Sequence, residues 1–214
     1  MLGVVRALRP AAEAAGFATG FHFDPTARLL AAIAAGERGD VAILTRQGAA
    51  QLAAQGVLLA GTRRDLARSV IGLAVPRGAP KPDIGTLDAF RATLLAAPSI
   101  AMSAAGASGI FLAGLIERLG IAEQVRAKAT IIPQGLTAEL AARGEVAIAI
   151  QQVSELMAVP GVDIVGPLPP EANEALVFTA ARFAGGDPAA DAFIAWLAAA
   201  LTPERLRAGG LEAM

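Results

Sequence analysis

The residues best suited to chemistry lie in Ser103-Ala104-Ala105-Gly106-Ala107-Ser108-Gly109, which runs directly into Ile110 to Gly120. An apolar strand candidate, Ser99 to Met102, comes before it. After it, Ile110, Leu112, Leu115, Ile116 and Leu119 recur at roughly helical spacing, and Gly120 supplies a stop. Strand, small-residue loop and helix start follow in that order. The first turn of such a helix has unpaired backbone N–H groups and a partial positive charge. Small side chains let a ligand's oxygens reach those donors, and Ser108 adds a hydroxyl. A small oxyanion or carboxylate is the natural guest. The same residues would equally serve close packing of helix on strand, with Ser108 as a helix cap.

Few other chemistries are open. The 214 residues include no cysteine and one histidine, His22, which excludes disulfides, thiol nucleophiles, cysteine-ligated zinc and paired-histidine sites. No loop clusters its Asp and Glu residues, so no metal site is expected, and no cofactor is expected either. The net charge of −1 supplies no basic field for a phosphate backbone, and 4% aromatics leave little stacking surface, which sets nucleic acid aside. Ala92 to Ile116 is uncharged and long enough to span a bilayer. Pro98, Ser99, Ser103, Gly106, Ser108 and Gly109 divide it, however, so it reads as the buried middle of a soluble domain. Met1 runs straight into helical sequence with no secretory signal before it.

The elements that must position these groups alternate along the chain. Leu2 to Ala15 reads as a helix closed by Gly16, and Phe17 to Phe23 as a strand. Asp24 as N-cap and Pro25 in the first turn open a helix from Thr26 to Ala35. A buried strand, Val41 to Leu44, leads through Thr45-Arg46-Gln47 into a helix ending at Gly56. Ser69 to Val75 reads as a strand, and the Pro-rich Pro76 to Pro82 as a crossing between two lobes. The second half repeats the pattern: helix Leu87 to Ala97, the strand and helix described above, and strand Ala129 to Ile132. A helix that starts in Gln134-Gly135-Leu136-Thr137 and runs through Arg143-Gly144 comes next, then strand Glu145 to Ile150 ending at Gln151-Gln152. Strands Val162 to Val165 and Leu176 to Ala180 precede terminal helices at Pro188 to Leu201 and Pro203 to Ala208. Such alternation predicts a doubly wound α/β fold, whose ligands sit beyond the carboxyl ends of strands. Thr26, Thr45, Ser108 and Gln152 all fall at such ends.

Five segments together resemble the type II periplasmic solute-binding proteins, close to the molybdate-binding group. They are Phe23 to Arg28, Ala35 to Leu44, Gly106 to Ile110 with Leu119-Gly120, Arg143 to Gln152, and Val165 to Pro169. The resemblance implies two α/β lobes, each a mixed sheet flanked by helices, joined by two crossover strands. Lobe 1 would be 1–75 plus 174–214 and lobe 2 would be 76–173. It also implies a small anion held by hydroxyls and backbone N–H groups. Carried over by position, the ligand-binding residues would be Thr26 and Thr45 in the first lobe, where Arg46 and Arg68, at strand or helix ends, would supplement the charge or else sit in solvent. In the second lobe the ligand-binding residues would be Ala107, Ser108, Leu136 and Gln152. Molybdate binders have a tyrosine where this chain has Gln152, and the chain has no tyrosine; an organic carboxylate is therefore as good a guest as an oxyanion. The family also has a central N-terminal strand in the first lobe, which this sequence lacks, so poor stability is expected of it.

Three functions follow from this resemblance. The leading one is a solute-binding protein that closes on its anion, working with an ABC transporter permease as a monomer or weak dimer. It would be periplasmic if a leader exists upstream, and cytoplasmic otherwise. The alternative is an enzyme on the same scaffold, since aconitate isomerase resembles this family. Its proton-transferring base would be Asp24 or Glu155, with Asp24 otherwise a cap facing away and Glu155 otherwise on the outer face of its helix. The third is a LysR-like effector domain, for which no DNA-binding helix-turn-helix precedes Met1.

Overall fold

The computed structural model describes every residue except Thr19, Pro25, Ala105 and Gly106, and, within helices, the side chains of Leu2 and Ala107. In chain order the elements are α1 (Leu2–Ala7), α2 (Arg9–Ala14), α3 (Thr26–Ala34), β1 (Val41–Thr45), α4 (Arg46–Ala54), β2 (Arg64–Ser69) and β3 (Ile71–Pro76). Next come α5 (Leu87–Ala96), β4 (Ile100–Ser103), α6 (Ala107–Arg118), α7 (Ala122–Arg126), β5 (Ala129–Ile132), α8 (Thr137–Ala142) and β6 (Ile148–Gln152). The last are α9 (Val153–Leu156), β7 (Val162–Pro167), β8 (Leu176–Arg182), α10 (Ala190–Ala200) and α11 (Pro203–Ala208). They form two units: Met1–Arg68 with Leu176–Met214, and Ser69–Ala175.

The first unit holds a three-stranded sheet in the order β1-β8-β2. Strand β1 runs antiparallel to β8, with Leu44 opposite Thr179. Leu44, Leu52, Leu58 and Phe183 are buried on one side of this sheet's core, and Leu66, Ile194, Leu197 and Leu206 on the other. The predicted first helix is broken at Leu8. Pro10 has no N–H to give and its ring crowds the carbonyl four residues back, so α1 stops and α2 restarts with the proline in its first turn. Residues 17–24 form no strand among those described, contrary to expectation. Side-chain packing engages the segment instead: Phe17 meets Phe193 edge-on with centroids 5.4 Å apart, and Phe21 stacks on Phe23 at 5.5 Å.

The second unit holds a five-stranded sheet in the order β5-β4-β6-β3-β7. Strands β5, β4 and β6 run parallel, so their carboxyl ends share one edge, with the starts of α6, α8 and α9 at that edge. Phe90, Leu94, Ile100, Leu112, Ile116 and Ile150 form its main core. Strand β3 is antiparallel to both neighbours and buried along almost its whole length, hence its unbroken apolar run.

The strand expected over Ser69 to Val75 is present as β3, and an unexpected strand, β2, precedes it in the other sheet; the units part at Arg68/Ser69 rather than at the Pro-rich stretch. The charges of Arg64, Asp65 and Arg68 mask β2 in the sequence, and the apolar run belongs entirely to the second sheet. Both chain crossings are tied down in the second unit by Asn173. Its Oδ1 accepts from Ile71 N–H at 3.0 Å, and its Nδ2 donates to the carbonyls of Ile71 and Leu168 at 2.9 and 3.2 Å. Among the described residues no helix is long and apolar enough to cross a membrane.

Candidate functional site

Each unit gathers its own set of polar groups at strand ends. In the second unit, β4 ends at the buried Ser103 and β6 at the buried pair Gln151-Gln152. Helix α6 begins with Ala107 and the buried Ser108. Its first turn lies so close to the strand that a Cβ on Gly109 would stand 1.9 Å from the Ser103 carbonyl oxygen. Gly109 therefore does serve close packing, and Ser108, beside it at the start of α6, lies at the sheet edge where β6 also ends.

The two glutamines have different tasks. Gln151 is fully engaged: its Oε1 accepts from Thr137 N–H at 2.8 Å and from Thr137 Oγ1 at 3.1 Å, and its Nε2 donates to the Gly135 carbonyl at 3.2 Å. It thereby caps α8 from outside, so the donor next to Leu136 is already taken; Leu136 itself stands at the N-cap position. Gln152 is engaged on one side only. Its carbonyl oxygen accepts from Ser69 Oγ at 2.8 Å and takes part in a capping box with Glu155 at the start of α9. Its amide nitrogen is buried and has no hydrogen-bond partner among the described residues. Such a group costs roughly 1–3 kcal/mol unless something pairs with it.

Glu155 sits under this arrangement. The Gln152 N–H donates to its Oε2 at 3.3 Å, and the residue is half-buried, not on an outer face as the sequence reading had it. Burial raises its carboxyl above the ordinary glutamate range, against the Gln152 N–H, which pulls the other way. A carboxyl whose folded pKa is raised contributes stability that is complete below the unfolded value. That contribution is lost as pH rises through the folded value. Glu155→Gln keeps the capping box, which Gln also satisfies. It is expected to raise the melting temperature at pH 7 and leave it nearly unchanged at pH 4. Thermal melts across that range check both.

In the first unit, Thr45 is the N-cap of α4: its Oγ1 accepts from Gly48 N–H at 3.2 Å. A Cβ on Gly48 would lie 3.3 Å from that hydroxyl and 3.5 Å from the Thr26 methyl, so Thr26, first residue of α3, and Thr45 adjoin across a glycine. Beyond them, Asp65 accepts from Arg46 Nη2 on one oxygen and from Thr179 Oγ1 on the other, both at 2.5 Å. Arg46 first and Thr179 second hold its carboxyl below the usual range. Arg68 stands apart: its backbone exchanges hydrogen bonds with Glu212, and its Nε lies 3.9 Å from the Glu212 carboxylate. Asp24 faces His22 Nε2 at 3.4 Å and Arg28 Nη1 at 3.6 Å. Glu37 holds the other His22 nitrogen at 2.8 Å. The sequence singles out Arg46 by its place at a strand end but gives no sign of Asp65 and Thr179, which come to it from two other elements. Among the described residues, no three His, Asp or Glu side chains are arranged to hold a metal ion.

Two α/β units joined by two crossings, each with donors at strand ends, define the class of periplasmic binding protein folds. The Azotobacter vinelandii periplasmic molybdate-binding protein has this fold with a TM-score of 0.73, at 18% identity, covering 100% of this chain and 95% of that one. The L-phospholactate-bound form of PEB3, a Campylobacter jejuni protein, gives 0.72 at 15% identity over 99% and 95%. The model of the bacterial extracellular solute-binding protein family matches residues 5–212, and the chain belongs to that family. It is also 34% identical to an aconitate isomerase of Pseudomonas sp, over 99% of this chain and 84% of that protein.

Proposed function

We propose that the protein is a solute-binding protein whose guest is a small anion, an oxyanion or an organic carboxylate, delivered to the permease of an ABC-type transporter outside the cytoplasm. One observation supports this above the others: a buried amide nitrogen, Gln152 Nε2, with no partner among the described residues. An anionic oxygen is the partner that best offsets its burial. The hydroxyls of Ser108, Thr26 and Thr45 at helix starts supply further groups able to donate to an anion. Calorimetry with molybdate, tungstate, sulfate and a panel of di- and tricarboxylates tests it. At least one is expected to bind with micromolar or better affinity, and silence from all of them removes the reading.

The relationship to aconitate isomerase favours a second reading, proton-transfer isomerisation of a small polycarboxylate. Of the two candidate bases, Asp24 faces His22 and Arg28, whereas burial holds the Glu155 carboxyl above the ordinary glutamate range, the direction in which a general acid or base is tuned. Deuterium uptake into cis- or trans-aconitate from heavy water, abolished in Glu155→Gln, would establish it. No exchange would leave binding alone.

A further inference from the structure

The first unit holds a cavity of about 230 Å³ lined by Arg46, Arg63, Asp65 and Thr179. Its place follows from the fold. Arg46 is the first residue of α4, directly after Thr45, and Thr179 lies opposite Leu44 on the paired strand. The lining has two guanidiniums and one carboxylate, so one positive charge is in excess. Asp65 is committed, with one oxygen to Arg46 and the other to Thr179; it anchors the Arg46 guanidinium and leaves that group's other N–H donors uncommitted. Arg63 is exposed. Among the described residues its side chain makes one hydrogen bond, a long one of 3.4 Å from Nε to the Ala60 carbonyl, which its backbone N–H also meets. Both of its terminal nitrogens are thus open, in the forked geometry that matches a carboxylate.

We infer that the Arg46–Arg63 cavity is a subsite for a second carboxylate of the ligand, and that the guest is therefore a di- or tricarboxylate rather than a one-centre oxyanion. The inference rests on the anion-binding reading above. Thr45 and Arg46 are consecutive residues at the start of α4, so the Thr45 hydroxyl and the Arg46 guanidinium that lines the cavity belong to one helix start in a single unit. A tetrahedral oxyanion occupies one such position. A chain with carboxylates several bonds apart can occupy both.

The test is calorimetry on the whole chain with tricarballylate, succinate, acetate and molybdate, for the native protein, Arg63→Gln and Arg64→Gln. Arg63→Gln leaves the Arg46-Asp65-Thr179 cluster intact, and Arg64 lines the neighbouring cavity only. Arg63→Gln is expected to weaken tricarballylate about tenfold or more, the worth of one charge-assisted hydrogen bond. It should leave acetate or molybdate unchanged, and Arg64→Gln should leave all four unchanged. Unaltered tricarballylate affinity in Arg63→Gln overturns the inference, as does an equal loss for every anion. Native protein that binds molybdate but no polycarboxylate overturns it while leaving the anion-binding reading in place. Native protein that binds no anion in the panel removes both.

Discussion

Gly109→Ala is expected to destabilise the protein by about 3 kcal/mol or more, at the upper end for overpacked sites. The added methyl would stand 1.9 Å from the Ser103 carbonyl oxygen and 2.7 Å from its carbon. Real Cβ atoms do not approach that closely, and the obstacle is backbone at the end of a buried strand, not a side chain that can swing away. Helix α6 would have to lift off β4, taking Ser108 with it. Gly114, on the same helix, is the control. A Cβ there meets only the Arg118 side chain, at 3.6 Å, so Gly114→Ala should stabilise by roughly 0.5–1 kcal/mol through helix propensity. Urea denaturation of both variants compares the two effects directly. Equal, small changes would mean that the glycine at the start of α6 is not needed for packing.

This contrast explains what the sequence could and could not reveal. Strand, small-residue loop and helix over Ser99 to Gly120 are legible because a period change and a glycine stop mark them locally. So are β1, β5 and the terminal helix at Pro203, each bounded by turn or capping residues. Element β2 is not legible, because Arg64, Asp65 and Arg68 lie in a strand whose apolar residues, Leu66 and Ala67, are too few to show a period. The placement of Glu155 fails for a similar reason: α9 is four residues long, too short for a helical face to be read. In the candidate site, Gln152 is found by its position at a strand end. The difference between Gln151 and Gln152 is invisible until Thr137 and Ser69 are brought to them by the fold. Asp65 and Thr179, separated by 114 positions in sequence, carry no local signal at all. What remains readable is what a segment dictates for itself; what is lost is what only tertiary pairing decides.

Gln152→Glu is expected to have the largest effect on ligand binding. The carbonyl oxygen of Gln152 is committed to Ser69 and to the first turn of α9, so the amide nitrogen is the end left to meet a guest. Glutamate preserves the accepting oxygen and replaces that nitrogen with a second acceptor. The substitution thus removes a donor, worth about 1.5–3 kcal/mol against a charged partner. It also places two like charges some 4 Å apart, about 4 kcal/mol at an effective dielectric constant near 20. The two terms act together, and affinity at pH 7 should fall by at least about a hundredfold. Gln152→Leu removes the donor without adding charge and should lose less, on the order of tenfold to a hundredfold. It also strips the buried Ser69 hydroxyl of its acceptor, but deletes an unpaired buried amide in exchange, so its stability should change little. Protonating the new carboxyl restores a neutral donor, and so binding to Gln152→Glu should recover as pH falls while Gln152→Leu stays weak. Titration of both variants at pH 5 and pH 7 with whichever anion the native protein holds gives the comparison. Unchanged affinity in either variant would mean that this nitrogen does not face the guest.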